Sequence, residues 1–288
     1  MEDYSIYTTI SEEDHAWGMC LNVVGKAILT QGMDYPAKDH PLGYYFTWEK
    51  GRILNEDQFI YITEGQGILE NNYGKYPIQS GTLMIIPKGE WHRYRPEKST
   101  GWTENYIGIS GALVPHFIAK TFDLKSSWLI QCGHHEEILE CYQKIADLLK
   151  NDLPACQQIA SGLVLKLLGY VRAFNRQKPI KGKPIEKLID QAKFQIKANV
   201  DGEVDLKALC EKHCISFDYF RRIFKNLTGL SPHQYHLQLK LIRAKELLLS
   251  TNKSVKEISY MLGFQNIHYF SRLFKQKTGQ SPSQLRSN

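Results

Sequence analysis

From about residue 17 to residue 111, the apolar residues of this chain occur in short runs, several of which alternate with polar positions. Gly, Pro and Asn separate the runs at intervals of about ten residues, which is the rhythm of an all-β sandwich or barrel. We therefore expect residues 1–133 to form a β domain. Its predicted strands include QFIYITEG, GILE, GTLMIIP and NYIGIS.

The hydrophobic period changes to three or four residues between residues 134 and 176, which predicts helices. One helix is expected over Glu136–Lys150, so that HHEE at 134–137 is a helix start, and Pro154 suits the first turn of a second helix. Apolar residues surround much of the second helix, in LVLKLLGYV. Packing against the β domain and contact with a second subunit both explain this composition, and we expect residues 134–176 to be a dimerisation segment.

The last third of the chain is predicted to be a separate helical domain. QKPIKGKP at 177–184 combines Pro, Gly and Lys, and predicts a linker. Helical periods follow from residue 185 to residue 288, with Ser216 as an N-cap and with Ser254 preceding Glu257 as in a capping box. Helices are expected near Ile185–Asn199, from Leu206 to about His213, from Ser216, over His233–Ser250, from Ser254 and near Asn266.

One sequence occurs twice in this helical region. YFRRIFKNLTGLSPHQ at Tyr219–Gln234 returns as YFSRLFKQKTGQSPSQ at Tyr269–Gln284, with ten of sixteen positions identical. A short apolar-periodic helix and a tight turn precede each copy, which is the pattern of a helix-turn-helix unit. The apolar positions of both copies recur at helical spacing and are expected in the core; they are Phe220, Ile223, Phe224, Phe270, Leu273 and Phe274.

The charge distribution indicates which part of the chain meets a polyanion. The net charge is +6, but residues 178–288 hold 20 Lys and Arg against 9 Asp and Glu, whereas the first 177 residues hold 16 against 21. A basic third beside an acidic remainder favours contact of the C-terminal domain with nucleic acid.

The outward face of each repeated helix carries side chains that suit DNA. Arg pairs with guanine, Asn or Gln with adenine, and Lys with phosphate. Two such helices joined by a rigid helix enter successive major grooves about 34 Å apart on B-DNA, whereas the deep, narrow major groove of A-form RNA excludes a helix. The expected DNA contacts are Ser216, Asp218, Arg221, Arg222 and Lys225 in the first unit, and Gln265, Asn266, His268, Ser271 and Arg272 in the second.

The C-terminal hundred residues resemble the DNA-binding domain of the AraC/XylS family of bacterial transcription regulators. The resemblance rests on LKALCEKHCIS with FRRIFK, on VKEISYMLGF with FSRLFK and TGQSP, and on the linking SPHQYHLQLKLIRAKELL. It implies a seven-helix domain whose two recognition helices contact bases. By position, the base-reading residues of the family fall on Asp218, Arg221, Arg222, His268 and Arg272. Asp218 either accepts a hydrogen bond from cytosine or tethers an Arg.

The β domain contains part of a cupin pattern. Gly81, Pro87, Gly89 and His92 have the spacing of the second cupin motif, but FTWEKGRILNEDQFIYITEGQG, where metal-binding cupins carry a His-x-His, contains no His. A single His does not supply the three or four ligands of a catalytic metal. We therefore expect no enzyme, no metal and no cofactor. A cupin enzyme fused to a DNA-binding module is the rival from another class.

The same region resembles the effector domain of the AraC family, a metal-free cupin-like barrel that binds a small molecule, often a sugar. By position, the resemblance implies a ligand site at Arg52, His92, Tyr94, Glu104 and Tyr106. Arg, Glu and Tyr around an apolar pocket suit a polyhydroxylated ligand. Alternatively, the aromatic residues fill the barrel and Arg52 forms a surface salt bridge.

The whole chain is thus expected to be an α+β multidomain protein: a cupin-like β-barrel (1–133) with following helices (134–176), a linker (177–184), and an all-α domain with two helix-turn-helix units (185–288). It is expected to be a cytoplasmic homodimer that binds promoter DNA and a small effector, and that activates transcription with RNA polymerase.

The acidic N-terminus lacks the features of a signal peptide, and no apolar stretch is long enough to span a bilayer. Six scattered cysteines are expected to be buried or half-buried thiols. The rival regulator is one controlled by a protein partner without any small ligand.

Overall fold

The computed structural model describes residues 3–33, 35, 44–122, 127–152, 154–177 and 180–287. The chain divides into two compact units, Met1–Asn175 and Arg176–Asn288. Lys178 and Pro179 of the expected linker lie outside the described residues. Within the described residues, no helix is long and apolar enough to cross a membrane.

The first unit is built on an antiparallel sheet. Its described strands follow the path β1-β2-β7-β3-β5-β8, and β4 and β6 both pair with β3. The strands are β1 (Tyr4–Tyr7), β2 (Cys20–Leu29), β3 (Asp57–Asn71), β4 (Gly74–Gln79), β5 (Thr82–Ile86), β6 (His92–Pro96), β7 (Trp102–Ser110) and β8 (Leu129–Gln131). The helices are α1 (Glu12–Trp17), α2 (Val114–Thr121), α3 (Glu136–Lys150) and α4 (Cys156–Gln177).

The strand β3 corrects one expectation, because QFIYITEG and GILE belong to a single strand rather than two. Its first half pairs with β5 and β7, and its second half pairs with β4 and β6. The change of partners falls at Gly65, which has φ +82, and a Cβ there would lie 2.1 Å from the carbonyl oxygen of Gly101. Glycine therefore bends this strand without ending it.

The two faces of the sheet bury different clusters. Ile60, Ile62 and Trp102 point into an interior shared by β2 to β7. Phe59, Tyr61 and other side chains on the opposite face pack against α2, α3 and α4. Because successive strand residues alternate between the faces, β3 and β7 are buried on both sides.

The helix α3 has the predicted bounds, but α4 begins later than expected. Pro154 lies in a turn, and Ala155 has a φ of +58, which interrupts the helical backbone before Cys156. One side of α4 packs on the sheet, whereas Ile159 and Leu165 are exposed. The chain therefore covers only part of the apolar surface that surrounds this helix.

Seven helices make up the described part of the second unit. They are α5 (Pro184–Ala198), α6 (Leu206–Lys212), α7 (Phe217–Thr228), α8 (Pro232–Ser250), α9 (Val255–Met261), α10 (Ile267–Thr278) and α11 (Pro282–Ser287). They form two cores, one around Phe220 and Phe224 and the other around Phe270 and Phe274, and all four rings are fully buried. The core assignment of these aromatic residues is thus confirmed.

The predicted caps are also present. Ser216 caps α7, and Ser254 and Glu257 form a capping box at the start of α9. All six cysteines are free thiols, as expected. Cys214 is nevertheless exposed rather than buried, because it occupies the turn between α6 and α7.

Candidate functional site: the barrel interior and the recognition helices

Arg52 reaches the barrel interior through an isolated bridge to β6. The backbone N–H of Arg52 donates to the carbonyl of His92 at 2.9 Å, and the N–H of His92 donates back at 3.0 Å. These two bonds connect residues forty positions apart. They place the side chain of Arg52 beside those of His92 and Tyr94, as the predicted site requires.

The guanidinium of Arg52 is held by neutral groups. Its Nε donates to His92 Nε2 at 3.1 Å, Nη1 to the Tyr44 carbonyl at 2.6 Å, and Nη2 to the Tyr94 hydroxyl at 2.6 Å. The ring centroids of Phe46 and Tyr94 lie 4.8 and 5.2 Å from its central carbon. Arg52 is therefore a half-buried cation that lies over the rings of Phe46 and Tyr94. The alternative of a surface salt bridge is wrong.

His92 is neutral in this arrangement. Burial and the neighbouring Arg52 lower its pKa to about 3. Its Nδ1 donates to the Glu90 carbonyl at 3.0 Å, which leaves Nε2 to accept from Arg52. His92 thus orients Arg52 rather than adding a second charge.

Glu104 is the buried carboxyl group of the interior. It is 2% exposed, and burial raises its pKa to about 7 although Arg52 acts in the opposite direction. The Tyr35 hydroxyl donates to its Oε1 at 3.4 Å. Burial thus favours the protonated form of this carboxyl group over a wider pH range than usual, and a ligand can meet it as an acceptor when it is ionised or as a donor when it is protonated.

Among the described residues, three buried side-chain atoms of β7 have no hydrogen-bond partner: Trp102 Nε1, Glu104 Oε2 and Asn105 Nδ2. The first two concern the interior. Their residues are two apart on one strand, so both side chains face the interior. Tyr35 touches both, since its ring centroid is 6.0 Å from that of Trp102. An unsatisfied acceptor and an unsatisfied donor cost free energy when they are buried. A hydroxyl-bearing molecule supplies a partner for each.

Tyr106 lies on the same face of β7 but at a distinct position. Its hydroxyl is hydrogen-bonded to Ser5, and its ring covers Gly25, where a Cβ would lie 2.3 Å from the ring. Glycine at this position therefore makes room for the phenol. The structure brings Arg52, His92, Tyr94 and Glu104 together, with Tyr106 beside Glu104 at the edge of the group.

A second polar group of the β domain was not predicted from the sequence. Glu56 is 6% exposed, burial raises its pKa, and it accepts hydrogen bonds from Tyr44 and Gln58. A polar pair at the start of an apolar strand was the available signal. Tyr35 and Phe46 lie in irregular segments, where periodicity carries no information.

Among the described residues, no group of three His, Cys, Asp or Glu side chains is placed to hold a metal ion. The interior instead offers one guanidinium, two carboxyl groups, a neutral imidazole and several phenols. This set of donors and acceptors suits hydrogen bonding to a polar organic molecule.

The recognition helix of the first unit exposes the predicted basic face. Asp218, Arg221, Arg222 and Lys225 are all exposed on α7, and their spacing of three and four residues places them on one side of the helix. The Asp218 carboxylate lies 3.7 Å from Arg221 Nη1. This distance is compatible with the expected tethering of an Arg by Asp218, and it does not test the alternative of a hydrogen bond from cytosine.

The second recognition helix exposes a less charged face. His268 and Arg272 are exposed on α10, Ser271 is half-buried, and Gln265 and Asn266 are exposed before the helix. The Oδ1 of Asn266 accepts from the backbone N–H groups of His268 and Tyr269. Asn266 is therefore an N-cap, as Ser216 is in the first unit, and its amide nitrogen stays available as a donor.

An antiparallel effector-type barrel and a double helix-turn-helix unit in one chain define a transcription regulator. Two families match: one described as an AraC-like ligand binding domain over residues 52–168, and one described as a helix-turn-helix domain over residues 209–288. The chain belongs to the AraC family of transcriptional regulators.

Curated relatives match along most of the chain. The lactose operon transcription activator of Staphylococcus xylosus is 21% identical over 78% of this chain and 80% of its own length. The Msm operon regulatory protein of Streptococcus mutans is 25% identical over the same shares. The raffinose operon transcriptional regulatory protein of Pediococcus pentosaceus is 26% identical over 77% of this chain and 81% of its own.

Proposed function

We propose that this regulator activates transcription in response to a sugar or sugar derivative bound in the barrel interior. The observation that carries the proposal is the buried pair of unsatisfied atoms, Glu104 Oε2 and Trp102 Nε1, beside Arg52. A hydroxyl group donates and accepts at once, so adjacent hydroxyls of a carbohydrate satisfy both atoms. The names of the relatives from lactose and raffinose operons support this class of effector.

Thermal-shift screening of the full chain against a carbohydrate panel tests the effector. Once a ligand is found, Arg52→Ala should weaken its binding by about 2 kcal/mol or more, because buried polar partners lose their bonds. Glu104→Gln keeps the shape of the side chain and should also weaken binding. Operator affinity of the ligand-free protein should stay nearly unchanged in both. Unchanged ligand affinity in both variants, with the fold preserved, would falsify this site.

Effector binding should depend on pH through Glu104. Sugar hydroxyls donate best to the ionised carboxylate, so affinity should rise as pH increases through about 7, and Glu104→Gln should remove this dependence. The ligand-free barrel should lose stability as pH rises from about 4.5 to about 7 and should change little above that, since only between the ordinary pKa of 4.5 and the raised native pKa does the folded state hold the extra proton. His92, whose pKa falls from 6.5 to about 3, acts at lower pH and with the opposite sign. Calorimetric titration between pH 6.5 and 8.5 therefore isolates Glu104.

This regulator acts on transcription by binding duplex DNA through α7 and α10. If about six phosphates are neutralised, the logarithm of the affinity should fall with the logarithm of the salt concentration at a slope near −5. Fluorescence anisotropy with a duplex enriched from a random pool measures this slope. An affinity that does not respond to salt would contradict helix insertion beside the DNA backbone.

We also propose that the protein acts in the cytoplasm as a homodimer that contacts RNA polymerase at the promoter. The exposed Ile159 and Leu165 on α4, with Gly162 between them, support a subunit contact on this helix. Ile159→Lys should shift the dimer toward monomer in sedimentation experiments, whereas Asn175→Lys, on the same helix, should not. Equal behaviour of the two variants would place the dimer contact elsewhere.

A further inference from the structure

The second unit contains a cavity of about 370 Å³ beside the start of the second recognition helix. One wall is the first half of α8, and the other is the turn before α10 together with the first turn of that helix. The lining residues are His233, His236, Leu237 and Lys240 on α8, and Gly263, Phe264, Gln265, Asn266 and Tyr269 opposite.

Lys240 places a cation in this cavity. Its Nζ lies 5.9 Å from the ring centroid of Phe264, and a Cβ on Gly263 would come within 3.1 Å of it. Burial lowers the pKa of Lys240, and Glu203 and Asp201 act in the opposite direction. In the described part of the chain, no carboxylate forms an ion pair with this ammonium. A half-buried ammonium without an ion pair is stabilised by a bound anion.

Two other polar side chains of the cavity wall are held by hydrogen bonds to the backbone. His236 Nε2 lies 3.0 Å from the Val200 carbonyl, which fixes the imidazole at the cavity wall, and His233 is exposed at the rim. Asn266 uses its oxygen to cap α10, which leaves its amide nitrogen as a donor. Lys240 and the Asn266 amide can therefore both donate to an oxyanion in this cavity.

The place of the cavity identifies which anion reaches it. Gln265 and Asn266 immediately precede α10, and the N-terminal residues of a recognition helix are those that contact base edges. The sugar-phosphate strands border the groove into which that end of the helix inserts. A phosphate beside the groove is therefore expected near the opening of the cavity. A free ligand would have to compete with DNA for the same space.

We propose that this cavity receives a backbone phosphate of the bound duplex, with Lys240 as its principal contact. The inference rests on the proposed DNA binding and adds a contact outside both recognition helices. It assigns Lys240 to affinity rather than to sequence preference, since a phosphate carries no base identity.

The test compares Lys240→Gln with Lys245→Gln in the full chain. Lys245 lies one turn further along α8, is exposed and does not line the cavity. Two duplexes of equal length serve as probes: one enriched on the wild-type chain from a random pool, and one unrelated. We expect Lys240→Gln to weaken both about 5- to 10-fold and to reduce the salt slope by about 0.9, the value for one phosphate contact. Lys240→Arg should restore the slope, and Lys245→Gln should leave it unchanged.

Three outcomes overturn the proposal. The first is that Lys240→Gln and Lys245→Gln have the same affinity and slope. The second is that Lys240→Gln weakens only the enriched duplex, which would make Lys240 a sequence-reading residue. The third is that inorganic phosphate stabilises the wild type through Lys240 in a thermal-shift assay while DNA binding ignores Lys240. A wild-type chain that binds no duplex would refute the proposed function itself, which is a different result.

Discussion

The two helix-turn-helix units share sequence mainly where side chains hold the helices in place. Phe220 and Phe270 occupy equivalent buried positions. The hydroxyls of Thr228 and Thr278 each lie within hydrogen-bond distance of two backbone carbonyls at the helix end, and the following glycines adopt left-handed conformations. In both copies Ser-Pro-x-Gln starts the next helix. The hydroxyl of Ser231 or Ser281 accepts from the backbone N–H of the Gln, and the Oε1 of that Gln accepts from the backbone N–H of the Ser. Most of the repeat therefore encodes caps and cores.

The units differ where side chains face solvent. Asp218 and Arg221 of the first unit correspond to His268 and Ser271 of the second. Arg222 and Arg272 are the shared exposed arginines. A common scaffold thus presents two different surfaces, which is what two different half-sites require.

The turns between the paired helices also differ. Four residues separate α6 from α7, and five separate α9 from α10, with Gln265 as the extra residue. Cys214 takes the left-handed conformation at φ +53 in the first turn, and Gly263 takes it at φ +71 in the second. The first unit thus carries backbone strain that the second avoids.

Removing a core ring should have the largest effect. Phe220→Ala and Phe270→Ala should each destabilise the second unit by about 3–5 kcal/mol, because each ring is fully buried. All five tryptophans precede residue 176, so helical circular dichroism should report the loss while tryptophan fluorescence serves as the internal control. A loss below about 1 kcal/mol in one variant only would show that the two cores are not equivalent.

Removing the shared arginines should have the next largest effect. Arg222→Ala and Arg272→Ala should each cost about 1–3 kcal/mol on the best operator, and should relax base preference at positions about one helical turn apart. Arg243→Ala, an exposed arginine paired with Glu246 on α8, is the control. Binding to duplexes with single base changes measures the preference. A loss uniform across sequences would make both arginines phosphate contacts.

The turn residues should shift stability by smaller and opposite amounts. Cys214→Gly should stabilise the protein by about 1 kcal/mol, and Gly263→Ala should destabilise it by a similar amount, since only glycine tolerates this φ without strain. Gly202→Ala, a glycine without positive φ and with open space around it, is the matched control. Urea unfolding measures the three changes. No gain in Cys214→Gly would mean that the first turn is unstrained.

The Asp218 tether should have the smallest effect. Asp218→Asn should change stability by less than about 0.5 kcal/mol, because the ion pair is exposed. It should raise affinity for duplex DNA about two- to threefold through the removal of one negative charge. Asp190→Asn, which breaks the equally spaced Asp190–Lys193 pair on α5, should not change DNA affinity. A loss of affinity confined to sites with one particular cytosine would instead assign base reading to Asp218.

Local sequence was sufficient for the helical unit and insufficient for the barrel interior. The caps at Ser216 and Ser254 and the bounds of α3 follow from interactions within a few residues, so periodicity and capping patterns predict them. Arg52 and His92 were placed in the ligand site by resemblance, but their mutual hydrogen bonds depend on a bridge across forty residues. Tyr35 was missed because it lies in an irregular segment and meets Glu104 only in the folded chain, whereas Glu56 carried a local signal that was not used.

The sequence by itself determined the class of protein, the repeated helical unit and the basic character of its outer face. These properties depend on side-chain type, period and charge, which are present before folding. Only the tertiary structure decided that β3 changes partners at Gly65, that Glu104 and Trp102 leave unsatisfied atoms in the barrel, and that Lys240 faces a cavity. Burial and unpaired polar groups arise when distant segments meet, and no local pattern specifies that meeting.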